Sequence, residues 1–239
     1  MNIYSTTIIF IFCKILLRYK NSYLFLEPIM KCIYCNSPTY TLSNGYKKCK
    51  VCKKKFSPKK IERKKAIKEC FCKNYTINRC ASTNNLSYLS VQKQYNAIRQ
   101  KIAIFMEEDF INNKQIIEYD EYIYLPLTKR DKKENIFDGF NFLTYNFDNK
   151  IYNLLLPSLA RYKSQLLQDK IDEIYYKEFE KFLYCNHLSN TKQGNLIKNF
   201  WQYLENFMLK FNGINNDNFF YYLKEAEFKF NGGCEKGVF

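Results

Sequence analysis

Beyond residue 30 the spacing of apolar positions changes character along the chain, and each change marks a new kind of element. Residues 31–58 show no sustained period and read as short strands and turns around cysteines, with "SNG" as a hairpin tip and Pro58 closing the unit. From Ile61 the pattern turns helical, placing Ile61, Ala66, Ile67, Cys70 and Phe71 on a rough stripe. Ile77, Cys80 and Ala81 suit a short helix, "TNNLS" a turn, and Val91, Tyr95, Ile98 and Ile102 a narrow arc of a second helix with Ser87 as its N-cap. That layout predicts a helix-turn-helix. After "EEDFINNK", which reads as a linker, the period drops to two. "QIIEYDEYIYL" puts Ile117, Tyr119, Ile123 and Leu125 on one strand face and Asp120, Tyr122 and Tyr124 on the other. "IFDGFNFLTYNF" and "KIYNLLLP", joined by "DN", complete a three-strand meander. Residues 164–186 look helical. The clearest helix follows in "GNLIKNFWQYLENFMLKF", with Ile197, Phe200, Trp201, Leu204, Phe207, Met208 and Phe211 on one stripe, and "NFFYYLKEAEFKF" supplies the last. No internal repeat is present in the sequence.

The pattern predicts an α+β multidomain chain: an upstream extension or apolar segment over 1–29, a cysteine unit over 30–58, a helix-turn-helix over 59–106, an α/β core over 115–231 and a tail over 232–239. With 239 residues, 46% of them hydrophobic, there is ample material for buried cores. The overall charge of +15 is unevenly spread. Residues 31–101 hold 18 Lys and Arg against two acids, Glu62 and Glu69, whereas the rest of the chain carries 20 basic and 21 acidic groups. The concentration of charge in one segment points to an anionic partner there.

Cys32, Cys35, Cys49 and Cys52 form two Cys-x-x-Cys pairs separated by thirteen residues. Two such knuckles bring four thiolates to one point, which is what tetrahedral Zn²⁺ requires. The paired spacing of four of the ten cysteines argues against a secreted disulfide scaffold and for a reducing, cytoplasmic setting. Cys70, Cys72 and Cys80 read as small buried apolar residues. The single histidine, His187, is expected on the surface, which leaves histidine-based catalysis without support. In the first 29 residues "TTIIFIFCKILL" is apolar, but Lys14 interrupts it short of a membrane span and no cleavage site follows. This argues against a membrane partner. Lys53, Lys54 and Lys55 beside the second knuckle are candidate phosphate contacts. On the second helix of the helix-turn-helix, Leu89, Lys93, Asn96 and Gln100, with Ser90 beside them, lie opposite the apolar arc and are candidates for reading base edges in double-stranded DNA.

Taken in order, the ribbon-like cysteines, the helix-turn-helix, the strand "YDEYIYL" and then "NLIKNFW", "KFNGI" and "YLKEAEFKFN" resemble the insertion-sequence transposases that carry an N-terminal zinc ribbon and a ribonuclease-H-like core. The resemblance spans about residues 31–231. It implies DNA transposition by Mg²⁺-dependent strand cleavage and transfer, with terminal repeats of an element as substrate and a homo-oligomer assembled on DNA. It also implies a shortened core, with Asp120 as first carboxylate and Asn195 as a neutral ligand. Lys198 stands where the family's Asn-x-x-Glu-x-x-Trp motif has its Glu, ahead of Trp201. No acid matches the middle carboxylate; Asp169, Asp172 and Glu173 are nearest. Catalysis is therefore expected to be weak or absent, and a sequence-specific DNA-binding regulator derived from a transposase is the alternative.

Overall fold

A computed structural model describes residues 30–112, 118–131, 133–158, 160, 195–211 and 213–235. The expected helix over 164–186, His187 and the three acids Asp169, Asp172 and Glu173 lie outside the described residues, as do residues 1–29. The fold is mixed α+β. Backbone contacts divide it into two units, Met1–Lys64 and Lys65–Phe239.

In the first unit three short strands, β1 (Thr39–Thr41), β2 (Lys47–Cys49) and β3 (Lys55–Phe56), form an antiparallel sheet in that order. The β1–β2 turn is closed by Leu42 N donating to the Tyr46 carbonyl at 2.7 Å, and Gly45 takes φ +77° there, a conformation glycine adopts at no steric cost. Its small core consists of Cys32, Cys49 and Phe56, with Met30, Cys52 and Ile61 against them. Pro58, expected to end this unit, instead opens helix α1 (Pro58–Cys72). Proline has no N–H to satisfy at a first helical position, and the Ser57 side chain accepts from Lys60 N at 3.4 Å.

In the second unit α1 continues, followed by α2 (Ile77–Asn84) and α3 (Tyr88–Asn112). The Thr76 hydroxyl caps α2 by accepting from Arg79 N, and Asn85 ends it in the left-handed conformation at φ +52°. Ser87 accepts from the amides of Ser90 and Val91 through its carbonyl, so it starts α3 as the sequence indicates. That helix runs 25 residues and takes in the first part of the segment that reads as a linker, as far as Asn112. The extension follows from continuation of the apolar arc: Ile102 and Met106 are buried, and Phe110 packs on Tyr145, Phe147 and Tyr152.

Strands β4 (Glu118–Tyr124), β5 (Phe140–Phe147) and β6 (Lys150–Leu155) form the antiparallel meander. Asp148 and Asn149, both at positive φ, make the β5–β6 turn. Helices α4 (Leu196–Met208) and α5 (Phe219–Phe230) cover one sheet face. Tyr122 stacks on Trp201 with ring centroids 4.6 Å apart, and Phe140 stacks on Phe219 at 3.8 Å. The stripe Ile197, Phe200, Trp201, Leu204, Phe207 and Met208 is buried throughout, while Phe211 falls beyond the helix end and is half-buried. Asn231, just past α5, donates its amide to the Ile151 carbonyl and accepts from Ile151 N, closing part of the β6 edge that would otherwise be open to pairing. Cys72, expected as a buried free thiol, is bonded to Cys234; Cys70 and Cys80 are buried as expected.

Candidate metal centre and nucleic-acid interface

The four cysteines of the first unit converge. Their sulfurs all lie within 4.8 Å of one another, with Cys32 and Cys52 at 3.6 Å and Cys35 and Cys49 at 3.4 Å. A tetrahedron of thiolates at about 2.3 Å from Zn²⁺ has edges of about 3.8 Å, so the spacing fits one such ion. The knuckles position them in the same way. One residue after each pair's second cysteine, Asn36 and Lys53 take left-handed φ values of +57° and +59°, folding the loop back on its sulfurs. Backbone amides then donate to sulfur: Tyr34 N to Cys32, and Val51 N and Cys52 N to Cys49. Ser37, through side chain and backbone, lowers the Cys35 thiol to about 6. At Cys49 burial pushes upward, but the amides of Cys52 and Val51 outweigh it and the net shift is downward. Cys52 ends near 12: the Lys54 amide pulls it down, while burial and the neighbouring thiols push it up. A cation bound here would take the place of the thiol protons. The cluster is the only group of three or more His, Cys, Asp or Glu side chains among the described residues that could hold a metal ion.

Lys53, Lys54 and Lys55 are all exposed beside that centre. The Lys54 ammonium sits 4.7 Å from the Tyr34 ring centre, which gives it a preferred place and leaves it at the surface.

On α3, Leu89, Lys93, Asn96 and Gln100 are exposed on the side opposite Val91, Tyr95 and Ile98, which are buried. Leu89 is 64% exposed in the first turn of the helix. Asn96 and the neighbouring Ser90 already have local partners. The Ser90 hydroxyl accepts from that of Ser87 at 2.8 Å within the helix start, and Asn96 accepts from Arg99 Nη1 at 3.3 Å. Lys64 and Lys65 on α1, also exposed, add charge that belongs to no motif, although their place in the basic run is visible in the sequence.

Asp120 and Asn195 each already have a partner within the protein. Asp120 lies at the α4-facing side of β4, opposite Thr144 in the ladder, but it is exposed and its Oδ1 accepts from Glu121 N at 2.8 Å. Asn195 is the N-cap of α4: its Oδ1 accepts from Ile197 N at 2.9 Å and its amide donates to the Glu118 carboxylate. Glu118 stands two residues before Asp120 on the same strand face, about 7 Å along the strand. The oxygen that Asn195 would offer a cation is therefore already used. Further along the same helix side Lys198 is half-buried, and the Glu205 carboxylate accepts two bonds from Arg130 Nη2, at 2.9 and 2.7 Å, and one from the Tyr122 hydroxyl at 2.7 Å. Among the described residues the donors do not fit a Mg²⁺ pair, which needs several free oxygens at one point. Glu118 and Glu205 were missed by sequence reasoning, since strand or helix period assigns a face but not a partner.

No family model, curated protein or solved structure matches the chain. Among the described residues no helix is long and apolar enough to cross a membrane.

Proposed function

We propose that this chain is a transposase-like DNA-binding protein: a zinc ribbon, a helix-turn-helix and a shortened ribonuclease-H-like core whose catalytic power is weak or lost. The observation that carries the reading is the outer face of α3, where Leu89, Lys93, Asn96 and Gln100 stand exposed on a helix-turn-helix within the segment that holds a net charge of +16. A helix start of this kind enters a major groove with its first turns, and the cations around it supply affinity without sequence preference. Zinc at Cys32, Cys35, Cys49 and Cys52 holds the ribbon, and Lys53, Lys54 and Lys55 serve phosphates.

Binding of the full chain to a random duplex library, followed by titration of the selected sequence, tests this. Lys93→Ala and Asn96→Ala should each flatten sequence preference by about 1–3 kcal/mol, the discrimination one base-reading side chain supplies, whereas Lys53→Ala, Lys54→Ala and Lys55→Ala should weaken all sequences alike. Recovery of no preferred sequence, or an affinity indifferent to these changes, would refute the reading. The non-enzymatic alternative, a DNA-binding regulator, is favoured by one observation: the Asn195 amide group is committed on both sides, to Glu118 and to the start of α4.

A further inference from the structure

The outer face of the ribbon sheet is a surface the ribbon does not need for its own folding. Strand alternation sends Lys47, Cys49 and Phe56 to one side, where Cys49 and Phe56 join the small core. Tyr40, Lys48 and Lys55 fall on the other side. The register sets them in one row across all three strands, with Tyr40 opposite Lys48 and Lys48 opposite Lys55. Directly opposed residues have Cβ atoms about 4.5–5.5 Å apart, so the ring and the two ammonium stems are neighbours. Tyr46 continues the same face. It lies two residues before Lys48, and its carbonyl accepts from Leu42 N at 2.7 Å, which carries the pairing one step past the strand ends toward the turn. Tyr40 and Tyr46 are then diagonal neighbours, about 7–8 Å apart.

Two properties set this face apart from a plain solvated charge run. Tyr40 is 40% and Tyr46 45% exposed, and among the described residues neither has an aromatic or cationic partner, so each ring offers an open face. Tyr34 of the same unit, by contrast, is engaged by Phe56 and Lys54. Nor does any carboxylate compete for the cations. Residues 31–61 contain neither Asp nor Glu, and Lys48 and Lys55 form no ion pair among the described residues. Open rings beside unneutralised cations on a sheet suit a nucleic-acid strand whose bases are unpaired, because a base inside a duplex is already stacked on its neighbours. The cations take the phosphates of that strand.

We propose that this face binds an unpaired DNA strand, with bases stacked on Tyr40 and Tyr46 and the backbone on Lys48 and Lys55. The choice of DNA rests on the DNA-binding reading above; the site itself rests on the ribbon alone. It is a second surface, distinct from the residues of α3 that read paired bases.

Anisotropy titration of the full zinc-loaded chain with a short oligothymidylate and with an abasic strand of the same length tests the site directly, since the abasic strand keeps the phosphates and lacks the bases. The oligothymidylate should bind about a hundredfold tighter, about tenfold from each ring. Tyr40→Ala and Tyr46→Ala, neither ring belonging to the ribbon core, should each remove about tenfold from oligothymidylate binding and leave the abasic strand unchanged. Tyr40→Phe and Tyr46→Phe should keep the affinity, and Lys48→Ala should weaken both strands alike. Zinc content and melting equal to the parent's establish that each variant is folded. Equal binding of the two strands by the parent chain overturns the proposal, and so does an oligothymidylate affinity indifferent to both alanine changes. Tighter binding of the matching oligouridylate assigns the face to RNA and overturns the choice of DNA. A duplex titration then separates this proposal from the reading of α3. Tyrosine-dependent oligothymidylate binding with no duplex binding sinks the helix-turn-helix reading and leaves the ribbon face standing; duplex binding with the two single strands bound equally does the reverse.

Discussion

Asn195 shows how one residue type serves two readings that only partners can separate. An asparagine before an apolar run is a common helix N-cap, and a neutral metal ligand in the resembled family; here its oxygen caps Ile197 and its amide holds Glu118. Asn195→Ala should therefore cost about 0.5–2 kcal/mol of stability by denaturant unfolding, while Asp120→Ala, at an exposed position, should fall within about 0.5 kcal/mol of the parent. A large loss at Asp120 and none at Asn195 would reverse the assignment. Glu227 offers a second test at this scale. It is fully buried on α5, where desolvation raises its carboxyl to about 7 despite the opposing pull of Lys224 and of Asn153, whose backbone and side-chain amides both donate to it. A carboxyl whose folded value lies above its unfolded one binds more protons when folded, so its contribution to stability falls as pH rises from about 4.5 to about 7 and is level above that. Glu227→Gln should lessen the drop in melting temperature across that window. An identical pH profile in both proteins would show that Glu227 is not the titrating group.

At the scale of elements, the ribbon has too small a core to fold on three strands alone: Phe56 is its only large buried side chain other than cysteines. Most of its folding free energy should come from metal, so a chelator should abolish the structure of residues 30–58, and Cys49→Ser should do the same even with zinc present. Loss of zinc without loss of amide protection there would count against a structural role. This element was legible in the sequence because ligand spacing is local. The α4 stripe was legible for the same reason, its period being set by one helix burying one face. The end of α3 was not, because "EEDFINN" is polar enough to read as linker. What makes it helical is tertiary: Phe110 fits among Tyr145, Phe147 and Tyr152, and Asp109 pairs with Lys150. The Cys72–Cys234 pairing spans 162 residues and left no spacing signal at all. Peptide mapping without reductant should recover those two cysteines in one cross-linked species. Recovery of both as free thiols from oxidised protein would exclude it.

For the whole molecule, charge decides more than shape. The helices around Arg99 were visible as elements, yet the buried pairing of its guanidinium with Glu225 joins residues 126 apart in the chain, information no single-chain period carries. The position of the net charge, by contrast, could be read directly, and it sets the last prediction. If the +16 concentrated in residues 31–101 acts on phosphates, DNA affinity must fall with salt because each neutralised phosphate releases condensed counterions. Engagement of six or more phosphates would give a slope of log affinity against log salt of about −5 or steeper. Replacing Lys53, Lys54 and Lys55 together by alanine should make the slope shallower by up to about 2.7, since each lysine on a phosphate accounts for about 0.9. Lys93→Ala and Asn96→Ala should instead change which duplex is preferred. Anisotropy titrations of the full chain between low and physiological salt measure both quantities. A flat salt dependence, or a slope unaltered by the triple substitution, would move the anionic partner away from the ribbon lysines.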